Sequence, residues 1–462
     1  MSIADRADPR SDTASAASAA FTVERHGIDH IPEGERHGRV RHLALLWSGC
    51  VLNVAVVTYG ALLTAMGLSL WQAVLAILVG NLTWLITGLG SLPGPAAGVT
   101  AFITSRAAYG RDGNRIPAFF NWISNVGYEV VGLALAVLAA DVLIDKAGIT
   151  VGTPVKIVVL LLLATAQSVL PIFGHAAITR ALRLLAIPFL LLFALLAVLT
   201  AQKVHFTDGH AGSWPLFFIG VALSASSSGL GWTGNAADYS RYLPSDVNRR
   251  RLVLAVVLGG GIPQILLMTL GAAVGTVVAT AGDPISGLPT AFADWFLVPY
   301  LLMVVVQMLA VNAVDLYSSG VSLQALGLRI GRWQAVAVDA VLSTAITALV
   351  VFNDAFDSYL NDFLLFTIVW LAPWAGAYVT DYLMRRGRYD IAALTEGRSR
   401  FRPAGIIALA TGGAASLLCL DTTVFTGPIA DAAGSADFSV PAGLLTAGLT
   451  YFLLARRSIA AD

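Results

Sequence analysis

GVALSASSSGLGWTGN, residues 220–235, is the stretch on which the fold turns. It sits in an apolar run from 214 to 237, long enough to cross a bilayer. Yet it carries Ser224, Ser226, Ser227, Ser228, Gly229, Gly231 and Gly234. Each glycine costs a helix about 1 kcal/mol relative to alanine, and serine offers the backbone competing hydrogen bonds. Backbone that leaves the helix at membrane depth survives only where protein buries it or where it lines a cavity. A broken membrane span is therefore predicted here. Close packing of small residues between continuous helices would give a similar composition.

The rest of the chain agrees with a membrane setting. Of 462 residues, 57% are hydrophobic and only 12% charged, with a mean hydropathy of +0.76. Soluble domains carry about 25% charged residues, which excludes a soluble enzyme. Twenty-eight basic residues balance 28 acidic ones, so no positive field exists to hold nucleic acid. Cys50 and Cys419 lie in apolar runs without metal-ligand spacing, so neither a disulfide framework nor a metal site is indicated.

Twelve apolar runs have the length of a bilayer crossing. They cover 43–66, 71–91, 117–140, 155–174, 184–201, 214–237, 252–279, 296–327, 333–352, 359–383, 404–421 and 438–455. Lysine and arginine gather on the cytoplasmic side of such spans. Arginines from Arg6 to Arg457 place 25 positive charges on one side, whereas Lys146, Lys156 and Lys203 are alone on the other. This phase holds through all twelve spans and places both termini in the cytoplasm, with an inner (plasma) membrane as the expected location. Residues 1–42 lack an apolar signal region and read as a disordered cytoplasmic tail.

The expected fold class is all-α and polytopic. Transporters are often built from inverted repeats whose interrupted helices meet at the midplane. Spans one and six fit that role, since span one carries Trp47, Ser48, Gly49, Asn53 and Gly60. The chain then divides into 43–201 (spans one to five), 214–383 (six to ten) and two further helices over 404–455. Ionisable groups at mid-membrane depth are functional candidates by default. Glu129, beside Tyr128, is at the centre of span three. In span eight Asn312, Asp315 and Ser319 share one helical face, which suits a small polar ligand or a structural clamp. Trp232 follows the predicted break and offers a flat face with one N–H donor, suited to a planar heterocycle. Asp339, Asp362 and Asp381 fall near span ends and are expected to be structural.

GWTGNAADYSRYLP (231–244) resembles the helix-six signature of the nucleobase:cation symporter-1 family, particularly its purine-cytosine permease branch. WSGCVLNVAVVTYGALLTAMGLSLWQA (47–73), VNAVDLYSSGVSLQALG (311–327) and DFLLFTIVWLAPWAGAYVTDYLMRRGRYD (362–390) are similar to its helices one, eight and ten. The resemblance implies a leucine-transporter-type fold, five plus five inverted helices with two more, working by alternating access. It also implies a nucleobase stacked between aromatic residues of helices three and six. Carried over, the substrate-binding residues are Gly231 and Trp232, Tyr128, Asn312 and Asp315, and Asn53. Gly132 stands where the family often has Gln or Asn, which removes an amide, and neighbouring Glu129 is a substitute. Sodium-coupled members place Ser or Thr hydroxyls just before the helix-eight Asn, where this chain has Ala310 and Val311. Proton coupling through Glu129 or Asp315 is therefore favoured over sodium.

The function this implies is import of cytosine or a purine by cation symport. Uracil, allantoin, hydantoin or a thiamine-precursor pyrimidine is the alternative within the family, and a passive channel the alternative outside it. No HExxH, GxSxG or Walker A motif is present, so no enzyme is expected. No cofactor is expected beyond the coupling ion. The partners are the nucleobase and the lipid bilayer, not nucleic acid, and the chain is taken as a monomer.

Overall fold

The computed structural model describes residues 28–169, 171, 175–204, 211–278, 284–328, 330–353 and 356–461. Apart from an isolated bridge between Asp421 and Thr426, its regular structure over these residues is helical. Span one is two helices, α1 (Val40–Val51) and α2 (Val54–Ala65), meeting at 54°. Then come α3 (Leu70–Gly80), α4 (Arg115–Lys146), α5 (Thr153–Gln167) and α6 (His175–Ala201). The second half holds α7 (Trp214–Ala225), α8 (Arg249–Val277), α9 (Asp294–Ala325), α10 (Arg332–Phe352) and α11 (Phe356–Arg385). It is followed by α12 (Pro403–Leu418) and α13 (Ser439–Ala461).

Among the described residues, eight helices are long and apolar enough to cross a membrane, and the bent α1–α2 pair makes a ninth. The shorter apolar helices α5 and α12, together with α13, occupy the other three expected positions. The element order thus follows the twelve expected spans. Between spans two and three lie the short helices Pro93–Ala97, Ala101–Thr104 and Arg106–Tyr109, all largely buried.

Two bends interrupt the bundle. In span one the helix stops at Leu52, and Asn53 restarts it by accepting the Val56 N–H at 3.1 Å while donating to the Cys50 carbonyl at 2.5 Å. One amide side chain therefore satisfies backbone groups on both sides of the gap, which hydrocarbon could not do. In span six a wide turn covers Ser226–Leu230, with Ser228 outside the helical region at φ −114° and ψ −132°. The serines serve the break: Ser227 Oγ donates to Leu223 O at 2.8 Å and Ser228 Oγ to Ser224 O at 2.5 Å. Ser226 Oγ reaches across to Leu364 O on α11.

α4 packs along α9, α8 along α1 and α2, and α12 and α13 against each other, with α13 also along α11. The outer surface is apolar, with Leu161, Leu162, Leu190, Leu191, Leu254 and Leu258 exposed. Trp71, Trp214, Trp295 and Trp333 are exposed at helix starts, where tryptophan anchors to the membrane interface.

The expectation of a disordered tail over 1–42 is corrected for its last part, while residues 1–27 lie outside the described residues. Ile31 N donates to Gly98 O and Gly38 N to Tyr242 O, each at 2.9 Å. Arg36 donates to Ile31 O and Pro95 O at 2.8 and 2.9 Å. Burial of Ile31 and the satisfied guanidinium outweigh the polar composition that suggested disorder.

The α2–α8 contact depends on two glycines. A Cβ at Gly60 would stand 1.9 Å from Met268 O, and one at Gly271 1.9 Å from Val57 O. Backbone cannot yield as a side-chain tip can, so Gly271→Ala must push the helices apart. We expect a stability loss of about 1–3 kcal/mol, read as a lowered thermal midpoint of the purified protein. An unchanged midpoint would contradict the close packing.

Candidate functional site

The two bends face one another across a small cavity of about 40 Å³, room for about three waters. Its walls come from α1–α2, α4, the broken span six and α9. Asn53, Tyr128, Gly132, Gly231, Trp232, Asn312 and Asp315 all line it, so the structure brings together seven of the residues singled out from sequence. Glu129 is not among the lining residues.

The aromatic groups are held from behind. Tyr128 Oη donates to Ser226 O at 3.0 Å, and its ring meets Phe363 edge-on with centroids 5.0 Å apart. Trp232 stands edge-on to Trp47 at 5.7 Å, and buried Trp47 in turn touches Trp84 and Tyr239. Edge-to-face packing leaves ring faces available for other contacts. Gly231 is required for close approach, since a Cβ there would lie 2.5 Å from both Ser226 O and Tyr128 Oη.

Asn312 explains Gly132. A Cβ at position 132 would stand 2.0 Å from Asn312 Oδ1, so the missing side chain is the space this amide occupies. Asn312 Nδ2 donates to Glu129 O at 3.0 Å and to Gln167 Oε1 at 2.8 Å. Both N–H donors are thus spent on the protein, leaving the Oδ1 acceptor at the cavity wall.

Asp315 is 3% exposed, lines the cavity and makes no hydrogen bond to a described residue. No ion pair joins it to a cationic side chain among the described residues, so an ionised carboxylate here would be uncompensated. Glu129 is fully buried elsewhere, and neither carboxylate oxygen makes a hydrogen bond with a described residue. Its acidic neighbours from other spans are Asp315 of α9 and Asp339, which is buried in α10 and accepts from Trp122 Nε1 at 2.6 Å. No three-residue metal-binding cluster occurs among the described residues.

Several site residues were missed. Tyr59, Ser227 and Asn235 also line the cavity, and Asn235 Nδ2 donates to Asn125 Oδ1 at 3.0 Å. Asn235 ends the quoted 220–235 stretch but was passed over as part of the break. Gln167 is the sole Asn or Gln of its apolar run, a signal that could have found it. Past the break, Asp238 accepts Ala101 N at 3.0 Å and Arg241 donates to Tyr317 Oη at 3.1 Å. These buried charges lock the second half of span six to the short helices and α9.

Residues 30–441 match the family described as permease for cytosine/purines, uracil, thiamine, allantoin. YxlA of Bacillus subtilis (strain 168) is 27% identical over 457 residues, covering 94% of this chain and 96% of that protein. Purine-cytosine permease fcyB of Emericella nidulans is 24% identical, covering 95% and 89%. The cytosine permease of Escherichia coli (strain K12) is 25% identical, covering 83% and 87%. Among solved structures, Mhp1, a nucleobase-cation-symport-1 family transporter in a closed conformation with bromovinylhydantoin bound, superposes with a TM-score of 0.73 at 18% identity. That match covers 95% of this chain and 96% of Mhp1, and the inward-facing form gives 0.72. The leucine-transporter-type fold is thereby shown, and the chain belongs to the nucleobase:cation symporter-1 family of multi-pass membrane permeases.

Proposed function

We propose that this permease imports a nucleobase, cytosine or a purine, by proton symport through alternating access. The observation that carries this reading is the cavity between the two broken spans, walled by Tyr128 and Trp232 and rimmed by Asn53, Asn312 and Asp315. A planar ring offers flat faces to the aromatics and a donor edge to the Asn312 and Asp315 oxygens. The cavity must widen to admit such a ring, which is the motion that alternating access supplies. The names of the relatives, purine-cytosine and cytosine permeases, support the same substrate class.

Asp315 is proposed as the proton carrier. It is the carboxylate on the cavity wall, while Ala310 and Val311 bring no side-chain oxygen for sodium. Glu129, off the cavity, is the second candidate. Both termini are proposed to face the cytoplasm, because the arginine-rich ends of the helices share one side.

Radiolabelled cytosine and adenine uptake into proteoliposomes, under an imposed proton or sodium gradient, tests the reading directly. Concentrative uptake driven by the proton gradient is expected. Uptake that needs sodium and survives collapse of the proton gradient would sink proton coupling, and equilibration without accumulation would indicate a channel. Competition by uracil, allantoin or hydantoin alone would move the substrate within the family.

Trp232→Ala removes a stacking face worth about 1–3 kcal/mol for a planar base. Uptake should fall by roughly tenfold or more in protein that still inserts, and normal transport would refute the assignment. Asp315→Asn keeps shape and removes charge, so the pH dependence of uptake should disappear. A retained pH profile would make Asp315 a ligand rather than the coupling group.

A further inference from the structure

We propose that a basic cavity on the arginine-rich side of the bundle seats the phosphate headgroup of an anionic phospholipid. This cavity, about 1280 Å³, is separate from the one between the broken spans and shares no lining residue with it. Separate stretches of chain converge on it. Arg106 comes from the short helix Arg106–Tyr109, and Arg385, Arg386 and Arg388 from the end of α11. Arg398 and Arg402 belong to the connection into α12, and Arg456 to α13.

The charges are not all spoken for. Arg385 pairs with Asp381 and Arg398 with Glu396, each at 2.8 Å. Arg386, Arg388 and Arg456 make no side-chain hydrogen bond or ion pair with a described residue. Asp390 is the one carboxylate in the lining; it caps the helix Ile391–Glu396 through Ala393 N at 3.0 Å and lies 3.8 Å from Arg398 Nη1. Arg386 also holds a left-handed backbone at φ +55°, followed by Gly387 at +77°. That conformation disfavours a side chain such as arginine, and here it turns the chain at the end of α11 so that Arg386 and Arg388 both line the cavity.

The lining is two-sided. Leu383 and Phe452 belong to it and are 55% and 46% exposed. Inorganic phosphate would need only the arginines, whereas a phospholipid uses both ends, phosphate among the guanidiniums and acyl chains along the leucine and phenylalanine. Basic pockets between spans on the cytoplasmic side suit such headgroups. General attraction of a basic face to the membrane is a weaker account. Arg250, Arg251 and Arg457 are exposed on the same side without lining the cavity, and they supply the control.

Native mass spectrometry of the purified full chain, with phosphatidylglycerol or phosphatidylcholine of matched acyl chains, tests the site. Wild type should retain phosphatidylglycerol in preference to phosphatidylcholine. The triple variant R386A/R388A/R456A should lower that retention by roughly tenfold or more, while R250A/R251A/R457A, which removes equal charge, should leave it near wild type. Equal losses in both triples, equal binding of the two lipids, or full displacement by millimolar inorganic phosphate would each overturn the proposal. Should the first triple fail to fold, R386Q, R388Q and R456Q singly are each expected to lower retention by a smaller factor. No change in any of them would overturn it equally.

Discussion

Everything in this molecule depends on how two interrupted helices satisfy their backbone away from water. A helix can be opened inside a bilayer only if every freed carbonyl and N–H finds a partner in protein or in water lining a cavity. Span one solves this with one residue, Asn53, whose amide serves both edges of the gap. Span six solves it with a run of serines: Ser227 and Ser228 donate to carbonyls of the preceding turn, and Ser226 donates across to α11. The cavity lies where the two breaks face one another.

The aromatic and polar walls follow from that arrangement. Trp232 takes its position from the end of the span-six turn and is held by Trp47 of span one, so the two breaks support each other's contents. Tyr128 is tied to Ser226 O, a carbonyl of the turn itself. Movement of the turn is therefore felt directly by both rings. Beyond the turn, Asp238 and Arg241 fasten the second half of span six to the short helices and to α9, and residues 30–38 are attached to the same region through Tyr242 and Glu33.

Much of this was legible in the sequence because it depends on local properties. Apolar run length marks the spans, and a glycine and serine cluster marks the break. Which neighbour faces the cavity was not legible in the same way. Tyr128 and Glu129 are adjacent in sequence but point about 100° apart on a helix of 3.6 residues per turn, and only the packing of α4 against α9 and α10 decides which of them lines the cavity. Gln167 was hidden for another reason. Its meaning comes from Asn312, 145 residues away, and no spacing rule connects them. The ordered segment at 30–38 was concealed by composition, since much of its anchoring is to backbone groups, which any sequence carries.

The gap at Gly132 has an evolutionary consequence. The Asn312 amide fills the volume that a longer residue on α4 would need, with an added Cβ already 2.0 Å from its oxygen. An amide on helix three and this placement of the helix-eight amide are therefore mutually exclusive. A change at 132 alone meets a collision, and loss of Asn312 alone strands the Gln167 acceptor in a buried site. A chain with an amide at position 132 would therefore be separated from this one by a double step, so the hydrogen-bonding edge offered to a ligand can change only as a unit and not one residue at a time.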